Sequence, residues 1–523
     1  MRYLLARLKQ NNNWPLLAII VSGFVFRLFN LGKHDFWFDE VLTHEIISGR
    51  FIGPFQEFNT LFIDKHPPFY YALLNQWSFF FGLDEYSLRF FSVIFSVLSI
   101  IFIYKLGKLL FDKITALIGA AFMALSPFQI WYAQEARMFS LSVFLAVIDV
   151  YFFFKALEKN KRKIYWVIYS LVTLCFISTT YFAFFLFIPK LIIILSAYKK
   201  YFMKWLLAVS LALLIFALTI LPIFITQFDS LQHGFWLRGE DSMGIILITL
   251  VNFIIGYHIT PVAYWWGLFL MVGLVLFSLI NREKPKAVLF SISLCIVPLI
   301  SVFLFGRYFA HIYIIRHAII FSPFLYLSLS KGITSIKHSS VKLAAVVSIL
   351  IILSFSLFNY YVDKIPFNYK LQPVYIKKPV RSFVTNFLRN KKDGDAVGFA
   401  NFGFMMVFQH YLDKEERGSS GVPNFYFYKK HKDPYFELIL SRMHAQKFTL
   451  ECQDVNIDTF NSNKYNLRNI WVFFTSWSRD GSLTPNDQEV KRWFDKHFPK
   501  LREYYFDGVW VGLYQIQSDY NEE

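Results

Sequence analysis

The sequence predicts an α-helical protein that crosses a membrane many times, followed by a small α/β domain. Three observations predict this fold class. Apolar residues make up 56% of the 523 residues and charged residues only 17%, whereas about 25% are charged in typical globular proteins. Apolar runs of membrane-spanning length recur from residue 14 to about residue 360. From about residue 361 the composition becomes polar and mixed.

The apolar runs predict eleven crossings. They are residues 14–31, 88–106, 114–131, 138–156, 164–178, 180–198, 205–225, 261–280, 287–305, 317–330 and 342–360. Two more apolar stretches, 67–82 and 244–258, are predicted to be helices lying at the outer face, because the first opens with two prolines and the second is short. The predicted boundaries are 1–360 for the transmembrane domain and 361–523 for the α/β domain.

The distribution of basic residues predicts the orientation. If the N-terminus lies inside, every strongly basic loop also lies inside, as the positive-inside rule requires. The C-terminal domain then lies outside. Much of the net charge of +17 is thereby explained by topology, and no nucleic-acid partner is implied. The first apolar run is long and no small-residue cleavage site follows it, so no cleavable signal peptide is expected.

The C-terminal domain shows both helical and strand patterns. Strands are predicted at 395–400, 470–475 and 509–516, and helices at 380–390 and 486–498. Pro485 is a typical helix-start residue. The three cysteines of the chain are too few for a disulfide framework, and their spacing fits no metal site.

Polar residues concentrate in four segments of the predicted outer face, where ionisable groups suggest function. The first contains Asp39 and Glu40 between aromatic residues. Neighbouring carboxyl groups raise each other's proton affinity, which suits a general base or a metal ligand. The alternative is a helix N-terminus, where acids interact favourably with the helix dipole.

The other three segments combine basic and acidic groups. Asp64, Lys65 and His66 precede two prolines, and the alternative is a loop-to-helix corner. Glu135 and Arg137 could reach one cavity if their backbone is not helical; the alternative is an interfacial cap with Arg137 snorkelling to water. Arg316 would suit a phosphate, since its planar fork binds two oxygens, or would be a counter-ion for one of the acids. His317 follows it.

In their order these motifs resemble the bacterial membrane glycosyltransferases of the GT-C superfamily, in the branch related to protein O-mannosyltransferases and aminoarabinose transferases. The resemblance covers roughly residues 14–335. Its most specific parts are the run of residues 134–138 (QEARM) and His66-Pro67-Pro68, and further parts are 82–90, 104–111 and 316–323. The C-terminal domain matches no motif of the family.

The resemblance implies a GT-C fold and a polyprenyl-phosphate-linked sugar as donor. It also implies transfer on the outer face of the bacterial cytoplasmic membrane, with Asp39 as catalytic base. Many relatives carry His within the stretch that here reads Ser178 to Tyr181, and Arg-Tyr in place of Arg316-His317. The residues expected to line the substrate cavity are Asp64, His66, Glu135 and Tyr181.

The chemistry of this transfer fits the predicted site. The leaving phosphate needs positive charge more than a proton, and the candidates to supply it are Arg137, Arg316, His317 and Lys65. Asp39, with Glu40 beside it, would accept the proton of the attacking acceptor, and attack opposite the phosphate predicts inversion. The sequence requires no cofactor, although Asp39 and Glu135 would suit a Mg²⁺ or Mn²⁺ ion.

The acceptor could be an envelope glycan, a lipid such as that of lipopolysaccharide, or a protein. The sequence leaves three other functions open. A transporter or lipid flippase would show inverted repeats and broken helices with charges at mid-membrane. An O-antigen polymerase or ligase would place its key Arg and His residues in a large late loop. A non-catalytic scaffold would tolerate the loss of Asp39.

Overall fold

The computed structural model describes residues 13–48, 66–158, 163–232, 242–280, 283–309, 312–362, 364, 379–416, 423–428, 452–460, 467–475, 483, 485–506 and 509–516. The chain divides into two compact units. The helical unit comprises Met1–Leu31 and Phe58–Gln372, and the sheet unit comprises Gly32–Glu57 and Pro373–Glu523. Residues 32–57, which the predicted boundaries place in the transmembrane domain, therefore group with the C-terminal residues.

The helical unit is built almost entirely from apolar helices. The α-helices of its described residues are α1 (Trp14–Leu28), α3 (Phe69–Phe81), α4 (Glu85–Leu110), α5 (Lys113–Leu125), α6 (Pro127–Ala133), α7 (Phe139–Leu157), α8 (Ile164–Ile177), α9 (Phe187–Ala197), α10 (Phe202–Thr219), α11 (Leu221–Gln232), α12 (Gly244–Ile255), α13 (Pro261–Ile280), α14 (Pro285–Tyr308), α15 (Ser322–Ser335) and α16 (Ser339–Tyr361). Short 3₁₀ helices, Tyr181–Leu186 and His317–Phe321, lead into α9 and α15.

These helices make the chain a multi-pass membrane protein. Among the described residues, six helices are long and apolar enough to span a bilayer, or seven if α5 and α6 count as one bent span. Four shorter apolar helices accompany them. The two stretches predicted to lie at the outer face form α3 and α12, of 13 and 12 residues. At about 1.5 Å per residue both are shorter than the roughly 30 Å hydrocarbon core.

A proline interrupts the span formed by α5 and α6, which meet at an angle of 55°. Pro127 has no N–H, so the carbonyl of Met123 cannot form its usual intrahelical hydrogen bond. Arg27 of α1 supplies the missing donors: its Nη2 donates to Met123 O at 2.9 Å and its Nη1 to Ala124 O at 2.9 Å. Arg27 is fully buried. The guanidinium of Arg27 therefore stabilises the bend through these hydrogen bonds. This role explains why an arginine is buried here, without any part in catalysis.

The bend also packs closely against the end of α12. Ser126 Oγ donates a hydrogen bond to Phe253 O at 2.8 Å. Gly256 follows α12 with a φ of 67°, a conformation that glycine adopts most easily. A Cβ atom at this position would lie 3.1 Å from the Cβ of Pro127. A side chain at residue 256 would thus strain the backbone and crowd the bend.

A buried ion pair joins α7 to α9. Lys190 Nζ lies 2.5 Å from Asp149 Oδ2, and the two side chains are 1% and 0% exposed. Thr173 Oγ1 donates to Asp149 Oδ1 at 2.7 Å, so both carboxylate oxygens have a partner. Neither residue is among those predicted to be functional. Because each charge is compensated by the other, the pair can be retained inside an apolar bundle.

We expect Lys190→Met to lower the free energy of unfolding by about 3–5 kcal/mol, because it leaves the Asp149 carboxylate buried and uncompensated. The double variant Asp149→Asn with Lys190→Met should recover most of this loss, since Asn can still accept from Thr173. Thermal unfolding in detergent, with membrane yield as a second readout, measures both. Lys155→Met, which breaks the more exposed pair with Glu158, is the control and should cost about 0–1 kcal/mol. Equal losses in the single and double variants would contradict the prediction.

The sheet unit is an α/β domain with one mixed sheet. Its elements are α2 (Phe38–Ile47), α17 (Val380–Asn390), β1 (Asp395–Phe399), α18 (Phe402–Glu416), β2 (Asn424–Tyr428), β3 (Cys452–Asn456), β4 (Asn469–Thr475), α19 (Pro485–His497), β5 (Lys500–Phe506) and β6 (Val509–Gln515). The strand order is β3-β2-β1-β4-β6-β5. Strands β1 to β4 pair in parallel, and β6 pairs antiparallel with β4 and β5.

Side chains on alternate positions of β4 face opposite sides of the sheet. Ile470 and Val472 belong to the buried cluster that includes Phe494 of α19. Phe473 faces the other way, with its ring centroid 4.9 Å from that of Phe408 in α18. The predicted α/β domain is confirmed, and α19 begins at Pro485 as predicted.

Candidate active site

The segment from Ser126 to Met138 organises the helical unit. Gln129 Nε2 donates to Ser322 Oγ at 2.7 Å, which links α6 to the start of α15. Gln134 Nε2 donates to the carbonyls of Arg27 and Phe29, at 2.9 and 2.8 Å, which fixes the end of α1. Three parts of the chain therefore meet at this motif through its polar side chains.

Glu135 and Arg137 lie in the non-helical stretch between α6 and α7. This meets the condition under which both side chains could reach one cavity. Arg137 is only 3% exposed, so it does not snorkel to water. Its Nη1 donates to the hydroxyl of Tyr71 at 3.1 Å. Glu135 is also buried, and its Oε1 accepts from Trp131 Nε1 at 2.7 Å. Both side chains are thus held in fixed positions.

A cationic cluster forms around His317. The ring of His317 lies 5.1 Å from that of His66 and 5.0 Å from that of Phe182, both measured between centroids. The charges of Arg316 and Arg137 both act on the His317 ring. Four predicted site residues from three distant segments are therefore brought together in one unit. We call His66, Arg137, Arg316 and His317 the cationic cluster.

Glu135 is close to this cluster. The hydroxyls of Tyr132 and Tyr257 lie 3.0 Å apart, and both residues are buried. The charges of Glu135 and Arg316 act on both phenols. The buried acid and the late arginine therefore both lie near this pair of tyrosine hydroxyl groups.

The predicted cavity residue Tyr181 is linked to the His-Pro-Pro motif. Its hydroxyl donates to Gln227 Oε1 at 2.6 Å, and Gln227 Nε2 donates to the carbonyl of His66 at 3.2 Å. The N–H of Phe69 donates to Ser178 O at 3.1 Å. Gln227 has no signal in the sequence, where it is one polar residue in an apolar run. Asp64 and Lys65 lie outside the described residues.

Asp39 and Glu40 belong to the sheet unit, in the first turn of α2. Glu40 is fully buried, and its Oε2 accepts from the N–H of Trp37 at 3.4 Å, which caps the helix. Asp39 is half-buried. The alternative considered from the sequence, two acids at a helix N-terminus, is therefore present, and Glu40 is the acid that caps the helix. The predicted metal site of Asp39 and Glu135 stays a prediction.

The residues before α2 are tied to the rest of the sheet unit. The N–H of Arg381 donates to Asp35 Oδ2 at 2.8 Å, and the N–H of Phe36 donates to the hydroxyl of Tyr411 at 2.6 Å. The first turn of α2 is thus fixed by residues that lie far along the chain. His410, next to Tyr411 in α18, was not among the predicted site residues.

Helices of spanning length and a small sheet unit define a polytopic membrane protein. The predicted resemblance to GT-C glycosyltransferases is confirmed. A family model described as dolichyl-phosphate-mannose-protein mannosyltransferase matches residues 65–223. This stretch contains His66, Arg137 and Tyr181.

One known protein and two solved structures are similar to this chain. The chain is 26% identical over 151 residues to the putative mannosyltransferase YkcB of Bacillus subtilis (strain 168), a match that covers 28% of this chain but only 21% of that protein. ArnT from Cupriavidus metallidurans, solved bound to undecaprenyl phosphate, has the same fold, with a TM-score of 0.61 and 11% identity over 97% of this chain and 98% of that one. The Archaeoglobus fulgidus oligosaccharyltransferase tethered with an acceptor peptide gives a TM-score of 0.50 and 14% identity, over 88% and 69% of the two chains.

Proposed function

We propose that this protein is a membrane glycosyltransferase. It moves a sugar from a polyprenyl-phosphate donor to an envelope glycan, lipid or protein acceptor on the outer face of the bacterial cytoplasmic membrane, with inversion at the anomeric carbon. The observation that carries the proposal is the cationic cluster of the helical unit. The family match over residues 65–223 and the fold shared with ArnT support it.

The cationic cluster suits the phosphate of the donor. Breaking the bond between sugar and phosphate places negative charge on the leaving oxygen, which fixed positive groups stabilise. The hydrogen bond from Arg137 to Tyr71 orients one guanidinium before substrate arrives. Arg316 adds a second guanidinium, and the rings of His317 and His66 lie beside these two cations.

Asp39 is our candidate for the base that accepts the proton of the attacking acceptor. Glu40, which caps α2 with its carboxylate, has the different role of holding the helix N-terminus that carries Asp39. The C-terminal sheet would help to fix this helix, since the two belong to one unit. A transporter or flippase is the alternative function. The family model and the similar protein are described as mannosyltransferases and do not favour it.

Asp39→Asn should reduce sugar transfer by about 10²–10⁴-fold, because general-base catalysis is typically worth that factor. Binding of the lipid donor should not change. Transfer by purified protein in lipid nanodiscs, with donor binding measured in parallel, tests this. Asp458→Asn, the same change at an exposed aspartate of the sheet unit, is the matched control and should keep its activity. Wild-type turnover by Asp39→Asn would refute the assignment.

Arg316→Ala should weaken donor binding by about 10–100-fold, since a hydrogen bond to a charged group contributes about 1.5–3 kcal/mol. Direct binding of a short-chain polyprenyl-phosphate sugar measures this loss. Arg307→Ala removes an exposed arginine at the end of α14 and serves as the control. If both variants bind donor like the wild type, Arg316 does not hold the phosphate.

The proposed orientation can be tested by cysteine labelling in intact cells. In a background with all three native cysteines replaced, Ser382→Cys in α17 should react with a membrane-impermeant maleimide from outside. Ser340→Cys in α16 is the control and should react only after lysis, because its loop is basic and predicted to lie inside. Both serines are exposed. The reverse labelling pattern would overturn the orientation.

A further inference from the structure

The sheet unit contains a buried cluster of histidine and glutamate side chains outside the proposed transfer site. His44 and Glu45 lie in the last turns of α2, and His410 lies in α18. The Oε1 atom of Glu45 is 3.0 Å from His44 Nδ1 and 3.2 Å from His410 Nδ1. One candidate ligand atom from each residue lies within 4.8 Å of the others. We call these three residues the His-Glu-His cluster.

We infer that the His-Glu-His cluster binds one divalent transition-metal ion, with zinc as the best match. Two imidazoles and one carboxylate form a ligand set that zinc uses in proteins, with a fourth position left for water. Hard ions such as Mg²⁺ and Ca²⁺ prefer all-oxygen ligand sets. The inference does not depend on the proposed sugar transfer.

The spacing of the ligand atoms fits a metal ion. In a tetrahedral zinc site, with bonds of about 2.0–2.2 Å, neighbouring ligand atoms lie about 3.3–3.5 Å apart. The two distances from Glu45 Oε1 are only slightly shorter than this. The rings of His44 and His410 are 4.6 Å apart and inclined at 78°, so they approach Glu45 from different directions. A small outward movement of the rings would admit the ion.

Burial gives an independent reason to expect a ligand. His44, Glu45 and His410 are 8%, 3% and 6% exposed. Glu45 Oε2 and His410 Nε2 are buried and find no hydrogen-bond partner within the described ranges. Buried polar atoms that lack partners are uncommon in native structures, and a bound ion is one recognised explanation. A metal ion held by both carboxylate oxygens of Glu45 would also satisfy Oε2, which neither histidine contacts.

The electrostatics of the cluster are compatible with metal binding. Burial raises the pKa of Glu45, but hydrogen bonds with His410 and His44 outweigh it and lower this pKa to about 2. Burial lowers the pKa of His410, although its hydrogen bond with Glu45 acts in the opposite direction. An ionised carboxylate and a neutral imidazole are the forms that bind metal ions. Metal binding would replace both hydrogen bonds, and each ring would then carry its proton on Nε2 instead of Nδ1.

The ion would join α2 to α18 inside the sheet unit. The first turn of α2 carries Asp39 and Glu40, and its last turns carry His44 and Glu45. The metal would therefore fix the helix at the end opposite to the acids. Its role is to position α2 and not to contact substrate.

Metal analysis of the full chain, purified in detergent with a tag that contains no histidine, tests the inference. After chelator treatment and reloading with ZnCl₂, mass spectrometry should find about one zinc per chain in the wild type. His410→Gln and Glu45→Gln should lose this zinc. His497→Gln is the matched control, because it removes an exposed histidine of α19 that bonds only to its own helix at Trp493 O; it should retain the zinc. Equal zinc in the wild type and in both cluster variants would overturn the inference.

A second measurement needs only the wild type and so does not depend on the folding of any variant. Co²⁺ added to the chelated protein should give the intense visible absorption of a four-coordinate site, and Zn²⁺ should displace it. Zn²⁺ should also raise the thermal midpoint, since a ligand that binds only the folded state stabilises it. A spectrum no different from Co²⁺ in buffer, with an unchanged midpoint, would refute the site.

Discussion

One hydrogen bond that a proline cannot form determines much of the helical unit. The carbonyl of Met123 has no intrahelical donor because Pro127 lacks an N–H, and lipid offers no replacement. Arg27 provides that donor from α1. The chain can therefore bend by 55° between α5 and α6 and continue into the non-helical turn that carries Glu135 and Arg137. The bend sets the direction of α6, which ends four residues before Arg137 of the cationic cluster.

The sequence predicted much of this arrangement where the signal was local. Apolar runs located the helices, and Pro485 marked the start of α19 because a first-turn proline has a purely local cause. The cluster of Arg137, Arg316 and His317 was also predicted, because charged residues are rare enough in an apolar chain to be conspicuous. The stretches that form α3 and α12 were predicted to lie at the outer face, the first because of its two prolines and the second because of its length, and this placement stays a prediction.

What the sequence could not show are contacts between residues far apart in the chain. Gln227 donates to His66 across 161 positions, and His410 meets Glu45 across 365. No periodicity or spacing rule relates such residues. Arg27 and the pair of Asp149 and Lys190 illustrate a related difficulty: a buried charge in a span suggests function, yet these charges satisfy carbonyls or each other. Only the partners of a charged group distinguish the two cases.

The sheet unit joins an early and a late part of the chain, which has a consequence for biosynthesis. Residues 32–57 leave the ribosome early, whereas α18, on which α2 depends, is made 365 positions later. At about 5–20 residues per second this interval is roughly 20–70 s. During that time the early segment has no native neighbour for its His44 and Glu45 side chains. The unit can close only when synthesis is nearly complete, so truncated chains should never acquire it.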